Sequence, residues 1–347
     1  LACVFTGEGG IYNYVKQGIG PAAGYFCGWM YFLGFLGAQA LQVTVFRATL
    51  GDLTGSDFIL NNPGMFYAIF FMLMAAACSI DMRIVGKLQS FITLIKLSPI
   101  IFVISLILFV PFKSAPESSL VANHLNMDKW SDLVGVFATV PMALFGYWGF
   151  EAASNLSHCI KGGSKQAAKA ILIGFALVTF IYTIFHWKLL NLMGADSLAN
   201  ERVEGLVSYL GFESGQALRM GVLVLTISLL VSYANAIYSE MTAYSFLLQA
   251  MSKDNVIVGS KFISMTNKVS QPMVAITMNG LGSFVMAYFI DGPKELMAVT
   301  NIGLIVALPS LINKSKNMST PIPYGPYIII GCIIYVTFSN QIKYLLY

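Results

Sequence analysis

Of the 347 residues, 57% are hydrophobic and only 10% are charged, with a mean hydropathy of +0.73, which excludes a soluble domain of this length and points to a polytopic membrane protein. The net charge of +4 reflects how lysines and arginines are sorted between the two sides of a bilayer, and not nucleic-acid binding. Cys3, Cys27, Cys78, Cys159 and Cys332 sit singly in apolar segments, without metal-site or disulfide spacing, so they read as small packing residues.

Crossing hydrocarbon takes about 20 apolar residues at about 1.5 Å each, because every backbone N–H and C=O must be satisfied within the helix. In chain order such windows cover residues 21–45, 64–80, 88–112, 133–158, 167–193, 216–240, 272–290, 295–312 and 325–345, with an incomplete tenth at the start. The opening from Leu1 to Gly7-Glu-Gly-Gly10 reads as an internal cut, without a signal peptide or initiator methionine. No stretch has the composition of a soluble domain or a long linker.

Lysines and arginines near membrane ends stay on the cytoplasmic side. Strict alternation of sides across the windows puts Lys16, Arg83, Lys87, Lys161, Lys165, Lys169, Lys253, Lys261, Lys268, Lys314 and Lys316 on one face with only Asp81 and Asp254. The opposite face holds Arg47, Lys113, Lys129, Lys188, Arg202, Arg219, Lys294 and Lys343 among a larger number of acids. Glu8, Lys96, Glu151 and Glu240 remain inside the hydrophobic zone, at about 2.5–3.5 kcal/mol each on insertion scales. For Glu8 and Glu240, reaching the interface or pairing with a neighbouring helix is an alternative to a functional role. Lys96 and Glu151 lie deeper in their windows, which favours function.

Within the 133–158 window, Phe145-Gly-Tyr-Trp-Gly-Phe-Glu151 places two glycines and a carboxylate where a stable bilayer helix holds neither. Gly146 and Gly149 could be contact glycines that let a neighbouring helix approach closely. Pro141 upstream, Tyr147-Trp148 between the glycines and Glu151 after them favour a break in the helix. A break exposes backbone groups and half-helix dipoles near the bilayer midplane, where they can hold a small charged solute. Ser232, Asn235, Ser239 and Thr242 recur at helical spacing along one face of the 216–251 stretch, which points to a polar cavity bordered by Glu240.

His124, His158 and His186 form no H-E-x-x-H and lie in a loop or at window ends, so neither a metal nor a haem site is expected and no cofactor is called for. An enzyme is not expected either, since no Ser/His/Asp grouping falls in one plane.

Gly9-Gly-Ile-Tyr-Asn-Tyr14, Gly20-Pro-Ala-Ala-Gly-Tyr25 and Gly28-Trp-Met-Tyr31 resemble the second and third helices of amino acid–polyamine–organocation (APC) permeases. Leu88 to Pro99 resembles their fifth helix, Gly149-Phe-Glu151 with the downstream lysines their sixth, and Ser245 to Asp254 the end of their eighth. The resemblance implies an all-α membrane fold of about ten transmembrane segments built on inverted repeats, with 1–112 the remainder of the first repeat, 133–312 the second and 325–345 an extra C-terminal helix, all in one transporter domain over 1–347. It also implies that the family's first helix, which supplies half of the substrate site, is absent. The 295–312 window, near the lower limit for spanning, is a second departure.

By the same resemblance, the substrate cavity is formed by Phe145, Gly146, Tyr147, Trp148 and Gly149 with Tyr31 and Gln39, while Asn301 and Glu240 fall at positions similar to pocket-lining ones in arginine/agmatine-type antiporters. Lys96 resembles a fifth-helix lysine that stands in the place of a sodium ion in sodium-independent members, and with Glu151 it is expected to serve coupling or gating. The expected activity is alternating-access transport of an amino acid or related amine by a permease or antiporter, with protons as a coupling ion, in the plasma membrane, a bacterial inner membrane. A homodimer is compatible with this reading. The alternative is a transport-inactive remnant or a ligand sensor on the same scaffold.

Overall fold

The computed structural model describes residues 8–81, 86, 89–93, 101, 105, 149, 152–160, 162–200, 215–290, 292 and 295–300. Among the described residues there is no strand. The helices are α1 (Gly10–Gly18), α2 (Pro21–Thr54), α3 (Asp57–Asn61), α4 (Pro63–Cys78), α5 (Ala152–Asn155), α6 (Gly163–Asn200), α7 (Gly215–Lys253), α8 (Ser260–Ile263) and α9 (Met273–Phe289). Residues 89–93 and 295–300 are also helical.

Local chemistry sets several of the ends. Pro21 and Pro63 open α2 and α4, where a missing N–H costs nothing and the fixed φ already suits a helix. Gly55 closes α2 at φ +62, and its N–H reaches the Gly51 carbonyl at 2.8 Å. By length and composition Pro21–Thr54, Lys165–Trp187 and Arg219–Lys253 can each cross a membrane, and α4 and α9 are shorter apolar helices. The windows at 21–45 and 216–240 therefore continue as helix to Thr54 and Lys253. Hydropathy falls once Arg47, Asp52 and Glu240 enter the window, whereas the backbone ladder needs no apolar side chain to continue. At 34 residues α2 is about 51 Å long, well beyond the hydrocarbon thickness.

Helices α2 and α7 form the centre. Phe35 stacks on Tyr244 with ring centroids 3.7 Å apart, and Phe32, Leu36, Leu247, Leu248 and Met251 complete the buried cluster around them. A second cluster joins α2, α4, α7 and α9 through Val43, Phe71, Ile237 and Ala287. Helix α6 behaves in the opposite way: Leu172 is 70% exposed, Phe180 64% and Trp187 61%. Such an apolar outer face is costly in water but neutral against acyl chains, as expected of a helix solvated by lipid.

Charge sorting agrees with the architecture where it is described. Lys16, Lys253 and Asp254, assigned to one side, meet at one end of the bundle. Arg47, assigned to the other side, donates to the Ile59 and Leu60 carbonyls at 2.9 and 3.0 Å and so closes α3 at the opposite end of α2.

Glycine permits a close approach of α1 and α2 at that first end. A Cβ on Gly24 would lie 2.8 Å from Lys16 Cα and 2.9 Å from Lys16 N, backbone atoms that cannot swing aside. Gly24→Ala is therefore expected to push α1 off α2 and to lower stability by about 1–3 kcal/mol, the usual cost of overpacking. Thermal unfolding in a fixed detergent measures this, and an unchanged midpoint would show that α1 shifts freely.

Candidate functional site

Gly149 is the one described residue of the predicted break. Its φ of +106 lies far from the right-handed helical region, and its carbonyl accepts the Ala152 N–H at 3.1 Å, a turn that opens the one-turn α5. An ideal Cβ at Gly149 meets no atom of the described residues within 4 Å, so among them it is the backbone conformation that calls for glycine. Beyond the turn, Ser154 and Asn155 are buried against Gly10, itself at φ +44, and this seats α5 on α1. Phe145, Gly146, Tyr147, Trp148, Glu151, Lys96 and Asn301 lie outside the described residues.

A polar strip crosses the apolar centre on the α2 face turned toward α7 and α9. Gln39 is fully buried; its Oε1 accepts from Ser283 Oγ at 3.1 Å, while its Nε2 has no hydrogen-bond partner among the described residues. One turn on, Gln42 Nε2 donates to Glu240 Oε1 at 2.8 Å. Glu240 is 9% exposed, lies 13 residues before Lys253, about 20 Å along α7, and is held against α2 by this contact. Thr300 is buried beside Gly37, where a Cβ would lie 2.9 Å from its Oγ1. On α9, Asn279 donates from Nδ2 to the Met241 carbonyl at 3.2 Å and ties α9 to α7.

Tyr31 and Gln39 have different surroundings. Tyr31 stacks on Phe35 at 6.4 Å and belongs to the aromatic cluster, whereas Gln39 belongs to the polar strip. The hydroxyl face of α7 is also partly occupied by protein. Ser239 bonds back to the Asn235 carbonyl at 2.7 Å and accepts from Gln89 Nε2, and Thr242 bonds back to the Tyr238 carbonyl at 2.8 Å and lies 3.4 Å from Cys78 Sγ. Gln42, Gln89, Asn279, Ser283 and Thr300 are polar partners that the sequence reading passed over. The pairs Gln39/Gln42 and Asn279/Ser283, at i,i+3 and i,i+4 in apolar helices, were the available signal.

At the end of the bundle shared by α1 and α7, Glu8, Asn13, Lys16, Ala250, Lys253 and Asp254 line a groove of about 220 Å³. Lys16 pairs with Asp254 at 2.7 Å, Lys253 pairs with Glu8, and the Tyr12 hydroxyl donates to Asp254 Oδ2 at 2.6 Å. Glu8 thus joins this charged end through a lysine. Burial first, then the hydrogen bond to Asp254 and its charge, keep the Tyr12 hydroxyl protonated well above the usual tyrosine range. The two links to Asp254 differ in worth. The ion pair is about one-third exposed and contributes roughly 0–1 kcal/mol, whereas a buried hydrogen bond to a charged acceptor contributes about 1.5–3 kcal/mol. Tyr12→Phe is therefore expected to lower thermal stability more than Lys16→Met; the reverse order would mean that the ion pair fastens α1.

Residues 1–339 match the family model described as amino acid permease. The chain belongs to the amino acid permease family. The permease is 20% identical over 322 residues to a low-affinity putrescine importer of Escherichia coli K12, a match covering 90% of the permease and 69% of that relative. It is 24% identical over 224 residues to a serine/threonine exchanger of Bacillus subtilis, covering 62% and 48% of the two chains. It is 23% identical over 292 residues to an arginine/ornithine antiporter of Latilactobacillus sakei, covering 78% and 56%. The family and these relatives are membrane transporters and not enzymes, and the apolar helices of the permease suit a multi-pass membrane protein.

Proposed function

We propose that the permease moves an amino acid or related amine by alternating access, as a secondary active permease or antiporter of the plasma membrane, the bacterial inner membrane. The observation that carries the reading is Gly149 at φ +106 within an apolar stretch, because a helix that stops inside a membrane frees backbone groups for a substrate's carboxylate and amine. In this reading about ten segments form inverted repeats over 1–112 and 133–312, with an added helix at 325–345. Phe145, Gly146, Tyr147, Trp148 and Gly149 contact the substrate together with Tyr31, Gln39, Glu240 and Asn301, and Lys96 and Glu151 serve coupling or gating.

Uptake of a labelled amino-acid and amine panel into proteoliposomes containing the complete gene product tests this directly. Accumulation above that of protein-free vesicles is expected for at least one substrate. Tight binding with no flux would replace the carrier with a ligand sensor.

Lys96 carries the coupling. An amine placed in a low-dielectric segment has a lowered affinity for its proton and can gain and lose it during a cycle, which makes a sodium ion unnecessary. Transport is expected to be independent of sodium and sensitive to pH, and Lys96→Ala is expected to flatten the pH profile. A strict sodium requirement, or an unchanged profile in the variant, would remove Lys96 from the cycle.

A further inference from the structure

We propose that the segment joining α7 to α9 is a surface anchor that seats on anionic lipid headgroups of the leaflet at its own end of the bundle. The segment presents an uncovered apolar face: Val258 is 96% exposed, Phe262 69%, Met265 56% and Val269 40%. Exposed Lys261 and Lys268 flank these side chains and make no ion pair among the described residues, whereas nearby Lys253 and Asp254 are paired with Glu8 and Lys16.

The height of the segment decides which solvent this face meets. Val258 follows the last residue of the Arg219–Lys253 span by only five positions, and Met273 opens the next apolar helix. Between them the chain does not hang into water but folds back against the helix ends. Ile263 is buried with Leu247, Leu248 and Ala275. Gln249 Nε2, one turn inside Lys253, donates to the Ser264 carbonyl at 3.2 Å, and Asn267 Nδ2 donates to the Ser79 carbonyl, just past α4, at 2.9 Å. The apolar face is therefore held beside the end of α4 and the start of α9, apolar helices of 16 and 17 residues and about 24–26 Å, close to the hydrocarbon thickness, at the level where headgroups meet acyl chains. Apolar side chains interleaved with lysines are the composition that binds such an interface, the first by burial and the second by attraction to anionic lipid.

The test labels Phe262→Cys with an environment-sensitive fluorophore, in protein whose five native cysteines are replaced by alanine, reconstituted in vesicles of phosphatidylcholine alone or mixed with phosphatidylglycerol. Quenching by brominated acyl chains is expected to be stronger with phosphatidylglycerol, and quenching by aqueous iodide weaker. Each lysine shifts the seated-to-lifted ratio by about fivefold, so Lys261→Gln/Lys268→Gln is expected to lose about thirtyfold and with it the lipid dependence. A label on Phe180→Cys, on the outward face of α6, reports insertion and is expected to be quenched by brominated chains in both lipids. With that control in place, iodide quenching of residue 262 equal in both compositions would overturn the anchor. Protection of residue 262 from both quenchers would overturn it too, by showing that protein covers the face.

Discussion

Leucine at Gly149, alone or together with leucine at Gly146, is expected to abolish substrate binding and transport while leaving expression and membrane insertion intact. At φ +106 a side chain other than glycine carries strain of about 1–3 kcal/mol. Leucine also has one of the better helix propensities and adds apolar surface in an apolar stretch, so the simplest relief is for the turn to take up helical φ and ψ. The backbone N–H and C=O groups that the turn frees would then be consumed by the helical ladder, and a substrate would meet a wall of side chains. Insertion improves if anything, since a continuous helix is the more stable span. Gly149→Ala grades the effect, as it carries the strain with less apolar gain. Binding is read by scintillation proximity with a labelled substrate and folding by size-exclusion profile in detergent. Normal transport by the double leucine variant would make both residues packing glycines.

Glu240→Gln is expected to weaken cationic substrates such as arginine, lysine or polyamines by about tenfold or more and neutral amino acids much less. The carboxylate lies 13 residues before the end of α7, about 20 Å along the helix, and accepts from Gln42 Nε2 on one oxygen, which orients it. At an effective dielectric of 20, a unit charge pair at 4 Å is worth about 4 kcal/mol before desolvation, and about 1.4 kcal/mol of that surviving gives a tenfold effect. Glutamine keeps the shape and a hydrogen bond to Gln42, so a purely structural role would be largely spared. Competition against one labelled neutral substrate separates the outcomes. Equal loss for cationic and neutral competitors would confine Glu240 to the contact between α2 and α7.

Legibility in the sequence followed the physics of each signal. Hydropathy found the apolar part of α2 and α7 but not Thr54 or Lys253 as their ends, because backbone hydrogen bonding continues where hydropathy falls. Counting lysines placed Lys16 with Lys253 and Asp254, since a bilayer sorts charge by side, yet it contained nothing about the Tyr12 hydroxyl that joins them. At Gly149, the one described residue of the glycine, proline and aromatic motif, the backbone has a positive φ, a local property that a glycine in the sequence can signal. Pairing between distant segments was not legible: Gln42 and Glu240 are 198 positions apart, and periodicity fixes a face without naming what lies opposite it. For Tyr31 the helical face was known, but its aromatic neighbour Phe35 and, beyond it, Tyr244 are set by packing.

Along one side of α7, Ser239, Thr242, Ser245 and Ser252 each donate to the carbonyl four residues back, at 2.6–2.8 Å. Every such bond adds a second donor to a carbonyl already engaged in the helical ladder, lengthens the ladder slightly on that side and favours curvature. Four of them within 14 residues concentrate that tendency in this half of α7, on the stretch that packs against α2. A helix of that kind can change curvature by small steps without breaking a hydrogen bond. Bending in α7 is thus expected to fall in its second half, between Asn235 and Ser252, where these bonds lie.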